Sequence, residues 1–176
     1  ADIHENVLAV KVARPTKEDF VWGFRCGFLT FACKNFTDAQ YGALLKKVMG
    51  VIRSSVSCSA TPSQSIILKA IAEPSNEAEK QALFTVLHTR YKAVRAFVSN
   101  RKSSVLTPLP FNSGYFMSFT THGVNAETLR RCLLSEHGIG TISIDENTLR
   151  VAFSSIDEDK IESVYETIYR TAEILG

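Results

Sequence analysis

The segment Thr16-Lys17-Glu18-Asp19-Phe20-Val21-Trp22-Gly23-Phe24-Arg25-Cys26-Gly27 decides how this chain is read. It lies between two stretches with the character of strands. Upstream, Val7 to Val12 (VLAVKV) is a short apolar run of buried-strand length, broken by Arg14-Pro15-Thr16. Downstream, Arg25 to Phe31 (RCGFLTF) is rich in β-formers. A lysine therefore sits in a connection between two strands, and an arginine opens the second strand eight residues later.

Beyond this segment the pattern turns helical. Thr37-x-x-Gln40 predicts a capping box for a helix from Asp38 to about Ile52. Thr61-Pro62-Ser63-Gln64 predicts an N-cap and a first-turn proline for a helix to about Ala72. Glu73-Pro74 stops it. Ser75 caps a long helix to about Ser99, with Leu83, Leu87, Val94 and Val98 on one face. Ser99 to Pro110, polar and with two prolines, reads as a linker. After it come a strand from Gly114 to Thr121, then a helix capped by Asn125 and ended by Gly138. Two strands follow, Thr141–Ile144 and Thr148–Phe153, joined by Asp145-Glu146-Asn147. A last helix is capped by Ser155-x-x-Glu158, with Ile161, Val164, Tyr165, Ile168 and Ala172 inward. The second half closes as a strand-helix-strand-strand-helix unit. The first half, with two strands, offers too few partners for an independent sheet, so a further segment or a partner subunit is expected to complete it.

Composition narrows the function classes. The chain has 176 residues, 45% of them hydrophobic and 22% charged, which is globular and enough to bury a sizeable core. Twenty basic against 18 acidic residues leave a net charge of +2, so nucleic acid is not an expected partner. No apolar run approaches the length of a membrane span, and the polar stretch Ala1 to Asn6 is not expected to act as a signal peptide. Cys26, Cys33, Cys58 and Cys132 form no C-x-x-C and stand at no zinc-like spacing from His4, His88, His122 or His137. They read as reduced thiols of a cytoplasmic protein. Phe20, Trp22, Phe24, Phe28 and Phe31 read as core rather than as a ring-stacking box.

A lysine amine attacks an aldehyde once it is deprotonated, which means lowering an ordinary pKa of about 10.4 by desolvation or nearby positive charge. An arginine grips phosphate with a fork of donors. Lys17 and Arg25 thus supply the two groups needed to hold pyridoxal phosphate; the plain alternative is a pair of solvated loop charges. The segment resembles the active-site lysine region of the class I/II aminotransferases, the fold-type-I enzymes dependent on pyridoxal phosphate. That family shows a lysine, an arginine eight residues on and a glycine two residues after the arginine, and Lys17, Arg25 and Gly27 match. Arg14 stands where the family often carries a hydroxyl.

The resemblance extends along nearly the whole chain. Arg53-Ser54-Ser55-Val56-Ser57 falls where the aspartate branch carries an arginine for the substrate's distal carboxylate; a helix C-terminal role for Arg53 is the alternative. Phe111-Asn112-Ser113-Gly114-Tyr115-Phe116 resembles the entry into the small domain's first strand. Leu149-Arg150-Val151-Ala152-Phe153 resembles the strand bearing the arginine for the substrate α-carboxylate.

The resemblance implies an α/β fold: the last strands of the large cofactor domain, then an α+β small domain. It implies residues 1–75 as the end of the cofactor domain, 76–103 as a connecting helix and 104–176 as the small domain. Lys17 would carry the cofactor, Arg25 would hold its phosphate, and Arg150 and Arg53 would bind substrate. Amino acids and 2-oxo acids would be the substrates, and a homodimer the assembly. The family's glycine-rich phosphate turn, its ring-stacking aromatic, its aspartate on the pyridine nitrogen and its tyrosine on the cofactor hydroxyl all lie far upstream of the lysine. Only 16 residues precede Lys17, so this chain is expected to be the C-terminal part of such an enzyme, with little activity alone. Two rivals stay open: a non-catalytic α+β assembly module, and a small-ligand-binding regulatory domain.

Overall fold

The computed structural model describes residues 4–176. They divide into two compact units, one ending at Lys80 and one spanning Gln81–Gly176.

The first unit is built on an antiparallel hairpin. Strands β1 (Ala9–Ala13) and β2 (Phe28–Ala32) pair with Ala9 opposite Ala32 and Ala13 opposite Phe28. Both begin later than the sequence predicts. The Val7 N–H closes a turn onto the His4 carbonyl at 3.2 Å. Arg25 has φ 50°, a left-handed conformation that cannot continue a strand. Helix α1 (Pro15–Glu18) lies in the connection between the strands; α2 (Asp38–Ser55), α3 (Thr61–Ala72) and the first residues of α4 (Asn76–Asn100) follow.

The capping box of α2 is present: Thr37 N–H donates to Gln40 Oε1 at 2.8 Å and Gln40 N–H to Thr37 Oγ1 at 3.4 Å. The Tyr41 hydroxyl accepts from Cys33 N–H at 2.7 Å and donates to the Cys33 carbonyl at 3.1 Å, tying the start of α2 to the end of β2. At α3 the expected cap moves by one residue. Gln64 N–H reaches the Ala60 carbonyl at 3.4 Å, so Thr61 is already helical and Ala60 caps without a side-chain bond.

This unit has little interior. Pro15, Cys26, Cys33 and Ile67 are buried, and α2 buries no residue. Val10, Val12 and Leu29 share one face of the hairpin, and Val12 is 66% exposed. Trp22 is 72% and Phe28 48% exposed, which corrects the expectation that the aromatics of this stretch form a core. A two-stranded ribbon has no second layer of its own to cover them.

The second unit has one packed core. Strands β3 (Leu106–Pro108), β4 (Met117–Thr121), β5 (Ile142–Asp145) and β6 (Thr148–Val151) form an antiparallel sheet in the order β3-β4-β6-β5. Strand β3 lies within the stretch expected as a linker. Pro108, which cannot donate to a ladder, ends it at the sheet edge. Alternation along the strands sends Met117, Phe119, Leu149 and Val151 into the core. Helices α5 (Ala126–His137), α6 (Ile161–Leu175) and the later part of α4 close it with Leu129, Leu133, Ile161, Tyr165, Ile168, Tyr169, Val94 and Val98.

The helix α5 is capped as its sequence dictates. Asn125 Oδ1 accepts from the Glu127 and Thr128 N–H groups, and Gly138 takes φ 65° at the other end, where a Cβ would be strained. The Ser155 box does not form. Ser155 ends a 3₁₀ turn (Phe153–Ser155), and Ile156 and Asp157 are extended, so α6 starts only at Ile161. Among the described residues no helix is long and apolar enough to cross a membrane.

Candidate active site

In the first unit the connection between β1 and β2 holds the chemistry. Antiparallel pairing of the two strands brings its ends together. A Cβ on Gly27 would stand 3.3 Å from Arg14 Cγ and 3.6 Å from the Ala13 carbonyl, so the glycine permits the close approach at the mouth of the loop. Pro15 opens α1 at a position where its missing N–H costs nothing, and the Asp19 N–H closes that turn onto the Pro15 carbonyl at 2.9 Å. Lys17 occupies the last turn of α1, with an exposed side chain. Lys80 Nζ donates to Asp19 Oδ1 at 2.9 Å and anchors the residue just after α1; the same bond raises the Lys80 pKa. A 3₁₀ turn (Trp22–Phe24) follows, and Arg25 caps it in the left-handed region with an exposed side chain. Lys17 and Arg25 are thus two exposed cations on one connection, with buried Pro15 and Cys26 pinning it near either end.

Arg53 also belongs to the first unit. It lies in the last turn of α2, and its Nη1 donates to Ser57 Oγ at 2.5 Å. Ser57 has φ 70°, so this bond stabilises the turn that ends the helix.

Arg150 stands in the second unit, in the middle of the interior strand β6. Ser118 of β4 is its partner on one side and Ile142 of β5 on the other. Its neighbours Leu149 and Val151 are buried in the core, so alternation turns Arg150 to the opposite face of the sheet. The side chain is half-buried. Its Nε is buried and has no hydrogen-bond acceptor. Cζ lies over the Phe116 ring, 4.8 Å from the centroid. Among the described residues no carboxylate pairs with it. Tyr115 adjoins Phe116, and burial pushes its phenol pKa up.

A guanidinium with no counterion among the described residues, on the sheet face away from the core, is suited to an anion that brings its own acceptors. An amine and a guanidinium on one tethered loop suit the aldehyde and the phosphate of pyridoxal phosphate, so the donor chemistry present fits the two ends of that group. Among the described residues no cluster of three or more His, Cys, Asp or Glu could hold a metal ion. The Phe116 ring beneath Arg150 and the Lys80–Asp19 clamp were not legible beforehand, because both depend on which residues tertiary pairing brings together.

No protein-family model and no curated protein matches the sequence. Solved structures do match. An aminotransferase from Anaerococcus prevotii superposes with a TM-score of 0.77 at 20% identity, over 97% of this chain and 41% of its own. The kynurenine aminotransferase of Pyrococcus horikoshii, solved with PMP and its substrates and products, gives 0.73 at 16%, over 94% and 40%. The α-aminoadipate aminotransferase of Thermus thermophilus, solved with N-(5′-phosphopyridoxyl)-L-leucine, gives 0.68 at 16%, over 88% and 39%. The chain spans about 40% of the length of these relatives. It has the mixed α/β fold of their C-terminal portion.

Proposed function

We propose that this chain is the C-terminal part of a pyridoxal-phosphate-dependent aminotransferase, which moves an amino group from an amino acid to a 2-oxo acid. The observation that carries the reading is Arg150: a guanidinium with a buried, unpaired Nε, placed on the sheet face away from the core in a fold matched by aminotransferases. Residues 1–75 then form the end of the cofactor domain, 76–103 the connecting helix and 104–176 the small domain.

When bound, pyridoxal phosphate supplies an electron sink for negative charge developing at the substrate α-carbon. The residues of this chain do the rest. Lys17 Nζ would hold the aldehyde end and would move the proton to and from the substrate α-carbon. The Arg25 fork holds the phosphate and the Arg150 fork the α-carboxylate, each by charge-assisted bonds that fix orientation. Arg53 reaches the distal carboxylate of a dicarboxylic substrate; its bond to Ser57 favours a second reading, in which it only closes α2. The exposed apolar face of the first unit supports a homodimer or another covering surface, and the four free thiols a cytoplasmic setting.

Trp22, the one tryptophan in the sequence, lies in the same connection as Lys17 and reports binding there. Titration with pyridoxal phosphate is expected to quench its fluorescence, and Lys17→Ala and Arg25→Gln each to weaken the titration at least tenfold. Identical titrations for all three chains would favour the non-catalytic module.

A further inference from the structure

Five arginines of the second unit have polar partners, whereas half-buried Arg150 and surface-exposed Arg170 have none among the described residues. Arg101 bonds Glu166 at 3.2 Å and Glu173 at 2.8 Å while lying 5.1 Å from the Tyr169 ring centroid. Arg130 and Arg131 converge on Glu127. Arg90 donates to the Ser154 carbonyl and to Asp157, and Arg95 to the Tyr91 hydroxyl and the Phe111 carbonyl. In each at least one donor of the guanidinium is already engaged by an acceptor of the same unit. Arg150 shares only the ring contact.

The placement of that ring follows from the register. Ser118 is directly opposite Arg150, and Phe116 is two residues before Ser118. A period of two puts Phe116 on the same face, diagonal to Arg150 and within reach of a long side chain. Phe116 is partly exposed, and the guanidinium carbon of Arg150 stands over its ring, 4.8 Å from the centroid. All the donors of a guanidinium lie in its plane. An acidic partner would hold the side chain still but would occupy the fork. An aromatic ring holds it by cation–π attraction and occupies none of it.

We propose that Phe116 is the positioning residue for Arg150: its ring holds the guanidinium flat, with its in-plane donors unengaged, so that a substrate carboxylate meets the fork edge-on. This rests on the reading of Arg150 as the carboxylate ligand.

The test uses the ¹⁵N-labelled chain, with the Arg150 Nε–H resonance assigned by its loss in Arg150→Met. Pyruvate, whose only anionic group is the α-carboxylate, is the probe. In the parent, pyruvate is expected to shift this resonance. Phe116→Met, which keeps apolar volume without a π face, is expected to raise the apparent Kd about two- to fivefold, the size of an exposed cation–π contact. Nε relaxation should show a more mobile Arg150 even without pyruvate. Phe116→Tyr should restore both. Phe116→Leu is measured in parallel, with the amide spectrum of each variant as the check on folding. If Phe116→Met and Phe116→Leu leave both the Arg150 titration and its mobility at parent values, the positioning role is overturned and the reading of Arg150 stands. If pyruvate fails to shift Arg150 in the parent, both are overturned.

Discussion

Replacing Arg150 with methionine should make the chain more stable while removing its affinity for a carboxylate. The Arg150 Nε is buried with no acceptor, and no carboxylate of the described residues offsets its charge. A buried donor left unsatisfied costs about 1–3 kcal/mol. Against this stands the contact with the Phe116 ring at 4.8 Å, worth about 0.5–1 kcal/mol at a partly exposed site. Methionine keeps an unbranched stem between Leu149 and Val151, so the sheet packing is preserved. The net expectation is stabilisation by about 0.5–2 kcal/mol. For a unit of the size of Gln81–Gly176, each kcal/mol moves Tm by about 4–8 °C, so thermal unfolding followed by circular dichroism should show a rise of several degrees. Residues kept at a cost to stability mark functional sites. A clear fall in Tm would refute the reasoning, because it would mean that the guanidinium holds the sheet together.

Other consequences are testable on the same chain. Asn125→Ala removes the acceptor for the Glu127 and Thr128 N–H groups and should lower stability by about 1 kcal/mol in a urea titration, whereas Asn125→Asp should cost little. Phe119→Ala empties a fully buried position between Tyr165 and Tyr169 and should cost about 3–5 kcal/mol, enough to unfold a marginal unit. Hydrogen bonds from Arg130 and Arg131 hold the Glu127 pKa down from its ordinary 4.5 to about 2. Its folded pKa is depressed, so its contribution to stability is complete above pH 4.5 and is lost as the pH falls through about 2. Carboxyl NMR should place the Glu127 midpoint near 2, and Arg131→Ala should raise it.

Local signals were read where local physics controls the outcome. The Thr37–Gln40 box and the Asn125 cap involve groups within one turn, and both formed as their sequence predicts. Strand edges were harder to place. The left-handed Arg25 shortens β2, and nothing in RCGFLTF announces it. The Ser155 box failed because Ile156 and Asp157 run extended before α6. Strand β3 was hidden because a three-residue edge strand ending in proline, within an otherwise polar stretch, looks like a linker until β4 lies beside it. Lys17 and Arg25 stand out by their chemistry and by the resemblance to the class I/II aminotransferases, Arg53 and Arg150 by that resemblance alone. The surroundings of Arg150 do not, since the Phe116–Arg150 diagonal exists only once β4 and β6 are in register.

The central claim is that Lys17 is a cofactor-carrying lysine, and reductive trapping tests it most directly. The chain is incubated with substoichiometric pyridoxal phosphate, reduced with borohydride, digested and mapped by mass spectrometry. The account predicts that the pyridoxyl label concentrates on the peptide carrying Lys17, and that Arg25→Gln diminishes it. Label spread evenly over exposed lysines such as Lys11, Lys46 and Lys47, with Lys17 no more reactive than they are, would contradict it.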